Sequence, residues 1–206
     1  MPTGRPQRPI VTDDDTDTRD DLAARRGLER DVYQPAEDSR LLAEAAVEHA
    51  RGRTLEVGTG SGWVAEQIAN QTEATVVASD YNPAACREAR ARGVPAVRAD
   101  LVAPFRAESF DTVAFNPPYL PTDPDNEWDD SMERALSGGE SGRAVIDPFL
   151  DTVGRILTAD GAVLLLVSSL TGFDTVVARA ESNGFAVSTV RQESYPFETL
   201  SILRLE

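Results

Sequence analysis

Asn116-Pro117-Pro118-Tyr119 is the stretch of this chain best equipped to do chemistry. Two consecutive prolines fix φ and keep the backbone around them extended, so the Asn116 side chain and the Pro117 carbonyl become a rigid pair of hydrogen-bond acceptors. Such a pair suits an NH2 group. An amide or aromatic amino nitrogen is a poor nucleophile because its lone pair is delocalised, and accepting hydrogen bonds from both its protons returns electron density to it. Tyr119 would pack against the flat group and turn it towards an electrophile. A proline turn closed by an Asn cap would also account for an isolated tetrapeptide. Position separates the two: the preceding run Asp111-Thr112-Val113-Ala114-Phe115 ends like a buried strand of a parallel sheet, and open α/β folds bind ligands at such strand ends.

The elements upstream read as the scaffold for that site. Thr54-Leu55-Glu56-Val57 is a short strand, and Gly58-Thr59-Gly60-Ser61-Gly62 turns it into a helix carrying Val64, Ala65, Ile68 and Ala69. A dinucleotide fold would want its third glycine one place later, where Trp63 stands, so a cofactor with an amino-acid tail fits this turn better than one with a pyrophosphate. A second strand, Thr75-Val76-Val77-Ala78, leads to Asp80, which lies 80 − 58 = 22 residues beyond the first glycine. That is the place for a carboxylate that accepts from ribose hydroxyls. Asn82-Pro83 starts the next helix and Gly93 closes it, with Ala85, Cys86 and Ala89 facing inwards. The strand Pro95-Ala96-Val97-Arg98-Ala99 ends at Asp100, which either accepts from an adenine amino group or caps its loop.

Before this core, residues 1–27 are rich in Pro, Thr and Asp without apolar periodicity, and read as a disordered acidic tail ahead of one domain over residues 28–206. Leu41, Leu42, Ala45 and Ala46 recur at helical spacing behind Pro35, and His49 near that helix's end suits the dipole. After the tetrapeptide, a long loop holds Asp123, Asp125, Glu127, Trp128, Asp129 and Asp130, followed by Ser137-Gly138-Gly139-Glu140-Ser141-Gly142-Arg143. A loop of this length is usually functional. Ile146, Phe149, Leu150, Val153 and Leu157 repeat as a helix, with Pro148 tolerable only near its first turn. A core strand over 162–167, a helix with Val176, Val177 and Ala180 ending at Asn183-Gly184, and strands near 186–190 and 199–205 joined at Tyr195-Pro196 complete the chain.

Composition narrows the function classes. The 206 residues carry 20 Lys+Arg against 35 Asp+Glu, a formal charge of −15, and every basic residue is Arg. An acidic, lysine-free chain looks adapted to concentrated salt and suggests a halophilic archaeal source. It offers no basic stripe for nucleic acid, Arg87, Arg90 and Arg92 reading as the solvated side of a helix. The lone Cys86 cannot form an internal disulfide, and no apolar run is long enough to span a bilayer. With a polar start as well, a cytoplasmic protein is expected, and no membrane partner. No Cys/His pattern suggests a metal site.

Taken in order, Leu55-Glu56-Val57-Gly58-Thr59-Gly60-Ser61-Gly62, Asp80, Asp100 and Asn116-Pro117-Pro118-Tyr119 resemble the class I S-adenosylmethionine-dependent methyltransferases that act on amino groups. More narrowly, Val32-Tyr33-Gln34-Pro35-Ala36-Glu37-Asp38-Ser39, the Gly138 to Arg143 segment and Glu198-Thr199-Leu200-Ser201-Ile202-Leu203 are similar to the short archaeal and eukaryotic HemK-type protein-glutamine N5-methyltransferases. The resemblance covers residues 31–206, and no counterpart of the helical N-terminal domain of the bacterial release-factor enzymes is expected, the acidic tail standing in that place. It implies a Rossmann-like α/β fold, a seven-stranded mostly parallel sheet with helices on both faces and a reversed last hairpin. It also implies S-adenosylmethionine as donor and the glutamine of a release factor's Gly-Gly-Gln loop as acceptor. By the same resemblance, Ser39, Glu56, Gly58 and Gly60 hold the methionine end, Asp80 the ribose and Asp100 the adenine. Asn116 and the Pro117 carbonyl then hold the glutamine NH2, with Pro118 and Tyr119 shaping the slot. Short relatives are similar in needing a small zinc-binding activator subunit, and an uncovered sheet edge over 95–99 is where a heterodimer partner would pair. The competing readings are an amino-group methyltransferase acting on RNA or DNA bases, and a silent cofactor-binding assembly subunit.

Overall fold

A computed structural model describes residues 32–122 and 136–206. The expectations for the acidic tail and for the acidic part of the long loop lie outside the described residues.

The apolar alternation of the strands dictates a sheet covered on both sides. Along the strand running Leu157–Ser168, Leu164 and Leu166 face one apolar cluster while Val163, Leu165 and Val167 face the other. A strand buried on both faces reads as a continuous apolar run, the signature of the interior of a parallel sheet. We label the strands β1 (Arg53–Val57), β2 (Thr75–Asp80), β3 (Ala96–Arg98), β4 (Phe110–Phe115), β5 (Leu157–Ser168), β6 (Val187–Ser194) and β7 (Thr199–Leu205). They form one seven-stranded sheet in the order β3-β2-β1-β4-β5-β7-β6. All pairs from β3 to β5 are parallel, whereas β7 runs antiparallel to both β5 and β6. The fold is the Rossmann-like one expected, reversed hairpin included.

Helices α1 (Glu37–His49), α2 (Trp63–Gln71) and α3 (Pro83–Ala91) supply Leu41, Leu42, Val64, Ile68, Cys86 and Ala89 to one face. Helices α4 (Ile146–Val153) and α5 (Phe173–Ser182) supply Ile146, Phe149, Leu150, Val153 and Val176 to the other. Start signals act as the sequence suggests: Asn82 Oδ1 accepts from the Ala84 amide at 2.8 Å with Pro83 in the first turn, and Pro148 sits in the first turn of α4. Two inner-face expectations change. Ala69 is exposed because α2 turns it from the sheet, and Leu157 begins β5, since a 3-10 turn over Gly154–Ile156 ends the helical run before it.

Strand β3 pairs only with β2 and is one end of the sheet, as expected for residues 95–99. Its backbone parity is fixed by two bonds, Ala78 N–H to the Pro95 carbonyl at 2.8 Å and Ala99 N–H to the Asp80 carbonyl at 3.0 Å. Residues 95, 97 and 99 therefore face β2, and Ala96 and Arg98 turn their backbone groups away from it. The order reverses at β1 and β4, and that reversal opens a crevice beyond their carboxyl ends. Among the described residues, no helix is long and apolar enough to cross a membrane.

Candidate active site at the strand ends

All ten candidate site residues line one cavity of about 810 Å³: Ser39, Glu56, Gly58, Gly60, Asp80, Asp100, Asn116, Pro117, Pro118 and Tyr119. That volume falls in the range of small-molecule sites. Asn116 directly follows β4, and its carboxamide oxygen is buried without a hydrogen-bond partner. A buried acceptor left unmet costs about 1–3 kcal/mol, so this oxygen is available to a donor from outside the chain. Beside it Pro117 is buried, and Pro118 and Tyr119 are half-buried. Burial first, then the Asp38 carboxylate, raises the Tyr119 hydroxyl above its ordinary pKa.

The far side of this slot comes from the segment after the long loop. Leu120 N–H donates to the Leu136 carbonyl at 3.0 Å, Gly138 N–H to the Leu120 carbonyl at 2.8 Å and Ala144 N–H to the Gly138 carbonyl at 2.9 Å. The segment thus folds back along the tetrapeptide, and Leu136, Ala144, Val145 and Pro148 give the cavity an apolar wall. Gly142 makes this possible. Its φ is +70°, and a Cβ there would lie 2.7 Å from the Tyr119 carbonyl. Arg143 holds the segment to the end of β5 by donating to the Thr171 carbonyl.

On the glycine-turn side, polar side chains hold the loops. Glu56 Oε2 accepts from the Thr59 hydroxyl and, at 3.1 Å, from the Ala65 amide, so a strand residue caps the first turn of α2. Gly62 occupies the cap position itself and has no side chain to do so. Burial pushes the Glu56 carboxyl up to about 8, opposed by those two hydrogen bonds. Asp80 ties two turns together: Oδ2 accepts from Gly60 N–H at 2.9 Å and Oδ1 from Asn82 N–H at 2.8 Å. Burial raises its pKa, and the same two amides pull it back. Asp100 is exposed at the end of β3, where its carbonyl accepts from Ala103 N–H at 3.1 Å. Leu101 beside it also lines the cavity and holds φ +46°, a conformation uncommon for a non-glycine residue.

Residues 33–39 cross over the glycine turn. The Tyr33 carbonyl accepts from Ser61 N–H at 3.1 Å and comes so close to Gly60 that a Cβ there, at φ +53°, would lie 3.1 Å from it. Ser39 is buried, its hydroxyl donating to Asp38 Oδ1 at 3.1 Å. Asp38 also accepts from the Tyr33 hydroxyl, at 2.8 and 3.0 Å. Sequence reasoning picked Ser39 and passed over Asp38 and Tyr33; the available signal was two hydrogen-bonding residues five apart, flanking a proline that brings them together. The wall residues Leu136 and Val145 carried no signal of their own, since apolar residues around a glycine loop read as ordinary packing.

Comparisons with known proteins agree with this geometry. Residues 55–117 match the methyltransferase domain family. Methyltransferase HEMK2 of Homo sapiens is 34% identical over 195 residues, covering 87% of this chain and 91% of its own length. A provisionally named protein N5-glutamine methyltransferase of Methanocaldococcus jannaschii is 33% identical over 182 residues, covering 85% of this chain and 92% of its own. The chain belongs to the HemK-type protein-glutamine methyltransferases. Among solved structures, the E. cuniculi Mtq2-Trm112 complex, described as responsible for methylating the translation termination factor eRF1, contains a chain 34% identical to this HemK-type enzyme. The two superpose with a TM-score of 0.72 over 86% of this chain and 99% of that one.

Two outcomes test the site's construction. With Glu56 raised in the folded state, its contribution to stability is full below the unfolded pKa and is lost as pH rises through about 8. Melting temperatures of the unliganded HemK-type enzyme should therefore fall between pH 5 and 9 more steeply in the wild type than in Glu56→Gln; parallel slopes would refute the assignment. Gly60→Ala forces a side chain into the left-handed region against the Tyr33 carbonyl, so it should lower the melting temperature and expose residues 33–39 to proteolysis.

Proposed function

We propose that this enzyme is the catalytic subunit that transfers a methyl group from S-adenosylmethionine to N5 of the glutamine in the Gly-Gly-Gln loop of a peptide-chain release factor. The observation that carries the reading is the unpaired Asn116 oxygen, placed at the end of β4 in the cavity shared with the glycine turn. Family membership and the eRF1 methylation named for the similar E. cuniculi complex support the choice of acceptor.

In this reading Ser39, Glu56, Gly58 and Gly60 hold the methionine end of the donor, Asp80 the ribose hydroxyls and Asp100 the adenine amino group. The residues fit such a group: the cavity has the size, the glycine turn leaves its floor open, and the carboxylates match hydroxyl and amino donors. S-adenosylmethionine, when bound, supplies a methyl group made electrophilic by a sulfonium. Asn116 Oδ1 and the Pro117 carbonyl accept the two N–H groups of the glutamine amide, concentrating density on its nitrogen. Pro118 and Tyr119 press the planar amide into line, and the wall at Leu136 and Val145 keeps water from the slot. The amide proton leaves after transfer, so no strong base is required.

The enzyme is read as one half of a heterodimer whose partner is a small zinc-binding activator. Strand β3 supports this, with Val97 40% exposed and the backbone of Ala96 and Arg98 turned from the sheet. Part of that edge is already engaged, since the Arg90 guanidinium donates to the Ala96 carbonyl at 3.0 Å through Nε. A translation factor as acceptor fits a cytoplasmic enzyme, and the acidic lysine-free composition fits a halophilic archaeal one.

Mass spectrometry of a release factor incubated with enzyme, donor and activator should show one added methyl on the Gly-Gly-Gln glutamine; label appearing only in RNA or DNA would favour the base-methylating alternative. Asn116→Ala should lower turnover about 10²- to 10³-fold, the cost of losing one hydrogen-bonding group that stabilises the transition state, with a much smaller change in donor affinity. Hydrogen exchange reads the edge: the Ala96 and Arg98 amides should exchange freely in the isolated chain and become protected in the heterodimer. The Val97 and Ala99 amides should be protected in both, and unchanged exchange at Ala96 and Arg98 would place the partner elsewhere.

A further inference from the structure

Four carboxylates line the cavity, Asp38, Glu56, Asp80 and Asp100, and the surroundings of three are accounted for. Glu56 caps α2, Asp80 clamps the two turns, and Asp100 stands exposed beyond β3. Asp38 differs from them. It is 6% exposed, in the first turn of α1, and its hydrogen-bond partners among the described residues are neutral donors: the Tyr33 hydroxyl on both oxygens, and the Ser39 amide and hydroxyl on Oδ1. None of the ion pairs formed among the described residues includes it. A carboxylate is rarely this buried without a cation to answer it, and here the open side of its surroundings is the cavity.

We infer that Asp38 is the counter-ion for the α-ammonium group on the amino-acid tail of the methyl donor, with Tyr33 as the residue that positions it. The inference rests on the donor proposed above. Order along the cavity places the contact: Asp100 follows β3 and Asp80 ends β2, whereas residues 33–39 cross the glycine turn after β1, so the tail and not the nucleoside runs beneath them. The donor has a second cation, its sulfonium, but a carboxylate bound to that centre would lose its partner as the methyl departs and would oppose transfer. The ammonium keeps its charge throughout. Pairing with it strengthens binding equally before and after the reaction.

Three ligands separate these possibilities by calorimetry on the full chain with its activator present. S-adenosylmethionine carries ammonium and sulfonium, S-adenosylhomocysteine only ammonium, and 5′-methylthioadenosine neither. Asp38→Asn should weaken the first two by the same factor, about 10- to 100-fold as for a charge-assisted hydrogen bond, and leave the third unchanged. Tyr33→Phe, which keeps the carboxylate, should weaken the same two ligands by a few fold and decides the matter if Asp38→Asn does not fold. Equal loss for all three ligands, loss for S-adenosylmethionine alone, or no loss would each overturn the assignment while leaving the proposed reaction standing. A wild-type chain that binds none of the three would overturn the donor itself, and this assignment with it.

Discussion

The unpaired carboxamide oxygen of Asn116 is the constraint around which the rest of the enzyme is arranged. A buried acceptor without a donor costs about 1–3 kcal/mol, a large part of a domain's net stability, and a flexible chain would relieve it by rotating or admitting water. This chain has no easy relief. β4 is paired on both sides, Phe115 with Val57 and with Leu165, and Phe115 packs its ring 4.6 Å from that of Phe149. The two prolines then fix φ at 117 and 118 and restrict the residue before each. The cost is held in place by a buried strand of the sheet.

The cavity needs loops to be as fixed as strands, and the same device recurs on each of its sides. A polar side chain from one element satisfies backbone groups of a neighbouring one: Asp80 for the glycine turn, Glu56 for the start of α2, Arg92 Nε for the Ser61 carbonyl at 2.9 Å, Arg143 for the Thr171 carbonyl. Loops tied in this way can hold ligand groups to the tolerance that positioning demands. Two of the ties belong to residues that also line the cavity. Glu56 and Asp80 are scaffold and lining at once, so substituting either one disturbs the turn as well as the cavity surface.

Much of this was legible in the sequence because it rests on local rules. Alternating and continuous apolar runs gave the strands, Asn82-Pro83 and Gly93 gave the bounds of α3, and the spacing from Gly58 to Asp80 placed both beside one cavity. What escaped was set by contacts distant in sequence. That Leu157 is a strand residue depends on pairing with Phe110, and helical spacing alone cannot see it. Asp38 was passed over for its neighbour Ser39 because the fold that carries Tyr33 back over Gly60 decides which side chains meet. The apolar wall at Leu136 and Val145 depends on a glycine loop folding onto Leu120, a contact with no periodic signature.

The arginines show the same limit from another direction. Arg90 and Arg92 read as a solvated helix face, and both are exposed, yet their guanidinium groups reach backbone carbonyls, Ala96 for one and Ser61 for the other. Arg155 spans the Phe105 carbonyl at 2.7 Å and the Val102 carbonyl at 2.9 Å, and Arg98 Nε reaches the Tyr81 carbonyl at 3.0 Å while its guanidinium stacks over the Tyr81 ring. A planar fork of five donors can serve two carbonyls and an aromatic face at once, which a lysine ammonium on a flexible stem does poorly. Ties from a guanidinium to a carbonyl also have hydrogen-bond geometry that salt screens far less than it screens an exposed ion pair. A chain whose 20 basic residues are all arginine, several of them committed to carbonyls, therefore keeps its loops fastened at ionic strengths that would weaken surface salt bridges, and leaves its excess carboxylates free to face the solvent.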